Sequence, residues 1–292
     1  MKITPTCVPC LLNRIIFESK QSTDDKNVQT KSIKNACSML ATLYDPTECS
    51  AVIATKVHKK TYEILNNPDP YKELKEQSNQ IACSLIPLVE HRINHAEHPL
   101  KTAILASIVG NTLDFGIKGA SKNPEELKQV FDQIIGEGFG FDDTEKLFSL
   151  LRKSNSILYF TDNCGEIVFD KVVIRELKKL FPHLSISLVV KGEPVLSDAT
   201  MKDAKELGFD EVVDTVFTTG GFAVGVDLDL ISDELKTVMN DTDLLICKGM
   251  ANYESFSETR IHPIVYFLRS KCKPIASSMN VPVNANIVKL YE

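Results

Sequence analysis

Long apolar runs are missing from this sequence of 292 residues. No segment reaches the roughly 18 consecutive apolar residues of a membrane span, so none is expected. The N-terminal stretch MKITPTCVPCLLNRIIFESK has a short apolar piece after Cys10, but Asn13 and Arg14 interrupt it. It lacks the apolar core and cleavage site of a secretory signal, and a cytoplasmic location is expected. A basic surplus is missing too: the net charge is −6, which argues against a nucleic-acid-coating surface. So are three signatures of chemistry. There is no G-x-x-x-x-G-K-[ST] loop, no G-x-G-x-x-G after the first strand-like run, and no G-x-S-x-G elbow. P-loop, dinucleotide and serine-hydrolase readings are correspondingly weak. No repeat or low-complexity tract stands out.

What is present is ordinary globular composition, 43% hydrophobic and 25% charged, in a chain long enough to bury a sizeable core without disulfide staples. The eight cysteines are dispersed apart from Cys7 and Cys10. One C-x-x-C supplies two of zinc's usual four ligands. With no second such pair and no preceding strand, neither a zinc site nor a thioredoxin-like unit is indicated.

Residues 1–100 read as a helical N-terminal domain. TKSIKNACSMLATLY, ATKVHKKTYEILNN and YKELKEQSNQIACSLIPLVEHRINHA carry apolar residues at three- and four-residue steps, separated by turns at DPTECS and NPDPY. His91 and His95 on the last of these read as solvated surface. HPLKTAILASIVGNTLDFGIKG, SKNPEELKQVFDQIIGEGFG and DDTEKLFSLLRKS continue as helices. The texture then changes. SILYFTD, LSISLVVKG, EVVDTVF, TDLLICKG, KPIASS and NIVKLY are expected as strands. The segments between them are expected as helices, among them SFSETRIHPIVYFLRS with Pro263 inside it. Alternating strand and helix indicates βαβ units and a mostly parallel sheet. The expected fold is therefore α/β: a helical N-terminal region, and over 101–292 a three-layer α/β/α Rossmann-like catalytic domain.

Ligands in such sheets bind beyond the carboxyl ends of the strands, so the residues just after each strand are the ones to weigh. They include Asp162, Asn163, Gly165 and Glu166; Lys191 and then Asp198; Gly220 and Gly221; Lys248, Gly249, Asn252 and Tyr253; and Ser277 and Ser278. Asp162, Asn163 and Asp198 offer hard oxygen donors suited to a divalent cation such as Mg²⁺, Mn²⁺, Co²⁺ or Ni²⁺. Lys191 and Lys248 offer charge to an anion. Gly220, Gly221 and Gly249 let backbone N–H groups approach a phosphate. Divalent cation, lysine and oriented N–H groups together suit phosphoryl transfer. Upstream, Asn111 and Asp114 share one face of an apolar helix, with a contribution to the site favoured for Asn111. The plainer alternative is that Asp162, Asn163 and Asp198 only cap the helices that follow them, with Glu166 favouring the dipole of a first turn. Cys164 reads as packing.

These motifs resemble a known family. FTDNCGEIVFD, SDAT, KGMANYESFSE and the upstream VGNTLDFG are similar to the motifs of the DUF89 family of metal-dependent damage-control phosphatases, in the family's order. CVPCLLNR resembles its subgroup rich in archaeal members. The resemblance implies a divalent metal on Asp162, Asn163 and Asp198, with Lys248 near the substrate phosphate. It also implies hydrolysis of small phosphorylated metabolites, sugar phosphates or damaged phosphometabolites. Attack by water near Asp162 or Asp198, and attack by an aspartate itself, both remain open. Asn252, Gly220 and Gly221 join Asn111 as expected substrate contacts. A binding protein without turnover is the alternative from another class, and a carboxyl methyltransferase ranks last. No nucleic acid or membrane partner is expected, and the oligomeric state is left open.

Overall fold

The computed structural model describes residues 1–111 and 124–292. The reading of Asp114, and of the GNTLDFG helix beyond Asn111, lies outside the described residues.

Along the chain, α1 (Cys7–Ser22), α2 (Lys26–Leu43), α3 (Ser50–Leu65), α4 (Lys72–Asn94), α5 (Pro99–Gly110) and α6 (Pro124–Gly136) precede the short β1 (Phe141–Asp142). Then come α7 (Thr144–Leu151), β2 (Ser156–Phe160), α8 (Glu166–Leu180), β3 (Ser185–Val190), α9 (Met201–Glu206) and β4 (Thr215–Thr218). The chain closes with α10 (Asp233–Asp241), β5 (Leu244–Lys248), α11 (Gly249–Phe256), β6 (Ile264–Arg269), α12 (Lys273–Met279) and β7 (Asn286–Tyr291). The strands form one sheet in the order β1-β7-β6-β5-β2-β3-β4, parallel throughout except where β6 meets β7.

The central strands are apolar on both faces, and their period of two sorts each residue to one helical layer. Ile157 and Tyr159 of β2 enter one core, together with Leu244 and Ile246 of β5 and Val265 and Phe267 of β6. Val89 of α4, Ile104 of α5 and Phe169 of α8 cover that side. Leu158 and Phe160, Leu245 and Cys247, and Ile264 and Tyr266 point the other way, into a core closed by Leu235 of α10, Phe256 of α11 and Ile275 of α12. The result is the three-layer α/β/α arrangement. Helices α1 to α3 make a smaller core of their own around Ile15, Leu40, Ile53 and Val57. No helix of the described residues is long and apolar enough to cross a membrane.

Two elements take the opposite form from the sequence reading. Residues 264–269, expected inside a helix, form β6, and KPIASS, expected as a strand, is the helix α12. The reasons are local. IVYFLR is a short run of β-branched, aromatic and apolar residues beginning just after Pro263, a pattern that fits a fully buried strand as well as a helix. Pro274 sits in the first turn of α12, where its fixed φ is favourable, and Asn280 ends it in a left-handed conformation (φ 52°). Ser277 and Ser278 therefore lie on a helix and not at a strand end. The two-residue β1 was not expected at all.

Candidate active site

β2 and β5 are neighbours, and the chain runs outward from them in opposite directions, from β2 to β3 and from β5 to β6. A crevice at such a switch point is the usual ligand site of an open α/β sheet. Asp162 follows β2 and Gly249 follows β5. Gly249 has a φ of +73°, and a Cβ there would sit 1.8 Å from Asp162 Oδ2, so glycine is what lets the two strand ends meet.

Asp198 comes back to the same place through the loop after β3. Asn163 and Asp198 pair as an antiparallel bridge, and Lys191 bridges to Thr200. The backbone N–H of Ala199 donates to Asp162 O at 2.8 Å, and that of Cys164 to Ser197 O at 2.8 Å. A short ribbon thus locks residues 162–164 against 197–199. Leu196 adopts a left-handed φ of 48°, and its N–H donates to the Tyr62 hydroxyl of α3 at 3.1 Å.

The capping alternative fails in this geometry. The residue capping α8 is Gly165 and the one capping α9 is Thr200, which forms a capping box with Asp203. Asp162, Asn163 and Asp198 cap neither helix. Asp162 Oδ2 instead accepts from Asn111 Nδ2 and Asn163 Nδ2, each at 2.8 Å. Asn111 also donates to Glu166 Oε2. Gly110 explains how α5 delivers Asn111: a Cβ there would lie 2.4 Å from the Phe169 ring of α8, so only glycine permits this approach. Ser197 Oγ donates to Asn163 Oδ1 at 2.6 Å. Lys191 Nζ lies 3.3 Å from Asp198 Oδ2 and donates to Gly225 O. Despite that ion pair, Asp198 Oδ2 is buried without a hydrogen bond of good geometry among the described residues.

Charge accumulates here. Burial, then the neighbouring Asp198 and Glu166 carboxylates, push Asp162 well above the ordinary carboxylate range against the pull of Lys191. Asp198 is raised by burial as well, with Lys191 opposing. Such a site favours a cation. Its donors are hard oxygens, and one of them has no hydrogen-bond donor directed to it. These residues fit a hard divalent ion. Cys164 is buried, its thiol raised well above its ordinary value by burial, and it suits packing.

Lys248, Asn252, Gly220 and Gly221 are placed differently from the expectation. Lys248 is fully buried and faces away from the cavity, donating to Glu166 Oε1, to Asp170 Oδ1 at 2.8 Å and to Ser107 O at 3.4 Å. Burial alone would lower its pKa, but Asp170 and Glu166 outweigh that and raise it. Asp170, which also accepts from Tyr159 OH at 2.8 Å, is pushed up to about 6, chiefly by burial. Asn252 splints two strand ends, donating to Thr161 O at 2.9 Å and Lys248 O at 2.8 Å. Gly220 packs against Gly192, whose Cβ would fall 1.7 Å from Gly220 O, and neither it nor Gly221 lines the cavity.

The cavity above Asp162, Asn163 and Asp198 measures about 220 Å³. Asn111, Lys271, Met250, Ala251 and Glu254 form its sides, and Lys271 Nζ donates to Asn111 O at 2.5 Å. Its roof was not anticipated: Cys10, Leu11 and Arg14 of α1, Ala54 and His58 of α3, and Tyr71. The signal available in the sequence was a histidine on the apolar stripe of α3, four residues from both Ala54 and Tyr62. Cys10 lies on this roof, and Cys7 opens α1; all eight cysteines are unpaired by disulfides.

The chain is similar to known proteins along its length. A damage-control phosphatase from Archaeoglobus fulgidus is 37% identical, with the match covering all of both chains. A damage-control phosphatase from Pyrococcus horikoshii is 28% identical across 98% of this chain and 96% of its own. The crystal structure of a DUF89 family protein from the same organism superposes with a TM-score of 0.91 at 27% identity over the full length of both. The family model for the damage-control phosphatase ARMT1-like domain matches residues 3–287. A match to that model over nearly the whole chain, on a fold that gathers the DN pair and the SDAT loop at one switch point, places this chain in the damage-control phosphatase ARMT1-like family.

Proposed function

We propose that the protein is a metal-dependent phosphatase that hydrolyses phosphomonoesters of small metabolites, sugar phosphates or damaged phosphometabolites. The observation that carries the reading is the convergence of Asp162, Asn163 and Asp198 on one cavity, with a buried Asp198 oxygen lacking a hydrogen bond. Relatives matched over their full length and named damage-control phosphatases support it. A divalent ion held by Asp162, Asn163 and Asp198 would neutralise the non-bridging oxygens of the phosphoryl group.

The chain's own residues do the rest. Asn111 and Asn163 fix the Asp162 carboxylate from two sides, so the charge facing the phosphoryl group is held in place before substrate arrives. The first turn of α11 brings Met250 and Ala251 to the cavity, and the first N–H groups of a helix have no partners within it. They and Lys271 receive phosphoryl oxygens. Asp198, with one oxygen free of a hydrogen bond, stands at the same cavity to take the proton released by the attacking water. Lys248 works one layer down, holding Glu166 so that Glu166 in turn holds Asn111.

The test is a hydrolysis screen with 4-nitrophenyl phosphate and a panel of sugar phosphates, run in Mg²⁺, Mn²⁺, Co²⁺ and Ni²⁺. Metal-dependent release of phosphate that disappears in Asp162→Ala is the expected result. Inactivity in every metal, or full activity in Asp162→Ala, would remove the reading.

A further inference from the structure

The roof of the cavity contains a built pair of ionisable groups that the phosphatase reading leaves unused. His58 of α3 and Glu18 of α1 are 1% and 0% exposed. The His58 Nδ1 atom lies 2.8 Å from one Glu18 oxygen and 3.1 Å from the other. Tyr71 OH donates to Glu18 Oε1 at 3.3 Å, and burial, followed by the Glu18 charge, pushes that phenol far above its ordinary value, so it stays a donor. An ionised carboxylate only accepts hydrogen bonds. Glu18 therefore faces Nδ1 as an acceptor and fixes the ring. His58 lines the cavity, and with Nδ1 held by Glu18, Nε2 is the ring nitrogen left for a group in the cavity.

The position of the ring over the floor follows from its neighbours. On α3, residues four apart share a face. Ala54, one turn before His58, packs with Val195 and Val224, and Tyr62, one turn after, accepts the Leu196 N–H. Both contacts fall on the loops around the floor, and Leu196 is two residues from Asp198. His58 sits between them.

We infer that His58, oriented by Glu18, protonates the leaving oxygen during phosphomonoester cleavage; this rests on the phosphatase reading above. The bond from phosphorus to the leaving oxygen breaks, that oxygen's electron pair takes the Nε2 proton of the doubly protonated ring, and the ring is left neutral with its Nδ1 proton on the Glu18 side. A bond forms from phosphorus to the water oxygen, whose released proton passes to solvent. Nε2 regains a proton from solvent, and the balance is ester plus water to alcohol plus phosphate. His58 is the catalytic residue in this step and Glu18 the positioning residue. The assignment also narrows the substrate class to esters of ordinary aliphatic hydroxyls, whose alkoxides are poor leaving groups without a proton.

The experiment compares leaving groups on the metal-loaded full chain. 4-Nitrophenyl phosphate releases a phenolate that needs no proton. Glycerol 3-phosphate, ribose 5-phosphate and glucose 6-phosphate release alkoxides that do. His58→Asn keeps an N–H toward Glu18 and removes the nitrogen facing the cavity. Its kcat on the alkyl esters is expected to fall about 100- to 1000-fold, a general acid's usual contribution, while kcat on 4-nitrophenyl phosphate changes by less than about threefold. Glu18→Gln is expected to show the same split to a smaller degree, with thermal unfolding reporting whether each variant folds. Equal losses on both ester types, or no loss on the alkyl esters, would overturn the assignment. So would a wild-type enzyme that cleaves 4-nitrophenyl phosphate but none of the alkyl esters. A wild-type chain inactive on every ester in every metal would fail the phosphatase reading itself, and the assignment with it.

Discussion

Two clusters of carboxylates meet at Glu166 and are built from the same residue types. Below it, Glu166 Oε1 and Asp170 share the ammonium of Lys248, with Tyr159 OH completing Asp170 Oδ1. Above it, Glu166 Oε2 and Asp162 share the amides of Asn111 and Asn163, and Asp198 leans on Lys191. The lower cluster contains no cavity-lining residue and holds its cation within the fold. The upper one borders the cavity and is short of positive charge. Residue type alone does not separate a structural ion cluster from a reactive one. Access, and the balance of charge within a few ångströms, do.

The sharpest way to break this contrast is Lys248→Met. It leaves two buried carboxylates uncompensated and should lower stability by about 3–5 kcal/mol, read by denaturant unfolding; a loss under about 1 kcal/mol would mean that the lower cluster is not structural. Asp162→Asn probes the upper cluster. Activity should fall about 1000-fold, by analogy with the loss of a preorganised group aimed at transition-state charge, while the denaturation midpoint stays near wild type. The third test is ligand linkage. A divalent ion at about 100 times its Kd should stabilise the wild-type chain by about 2.7 kcal/mol and Asp162→Asn hardly at all, measured as a shift in melting temperature. An equal shift in both proteins would move the ion elsewhere. The smallest effect is Tyr159→Phe, which removes one hydrogen bond to a buried carboxylate and should cost about 1.5 kcal/mol in unfolding experiments, with kcat unchanged.

The same contrast marks what was legible in the sequence. SILYF followed by DN announced a buried strand and its polar end, because apolar runs and their boundaries are local signals. The opposite facing of Lys248 was also present, in its parity. Leu244 and Ile246 turn to the α5 and α8 side, and Lys248, two residues on, must follow them. Read as a strand-end lysine it belongs to the site; read by alternation it belongs to the core. The roof was not legible, since nothing in the spacing of His58 and Glu18 ties them to Asp198, and their meeting depends on how α1 and α3 pack. β6 and α12 were exchanged because short apolar segments satisfy either period.

The contact between Tyr62 and Leu196 bears on modularity. The sheet, the DN pair and the helices on both its faces all lie downstream of α3, and a fragment beginning at α4 would keep each of them. It would not keep the hydroxyl that accepts the Leu196 N–H, in a loop already held at a left-handed turn just before Asp198. Nor would it keep Thr55, whose hydroxyl accepts the Val224 N–H at 2.9 Å. The first three helices therefore act as a clamp on the floor as well as a roof. An excised Rossmann-like half would inherit Asp162, Asn163 and Asp198 without the scaffold that keeps their loops in register, so a fragment meant to preserve this site has to include the first helices.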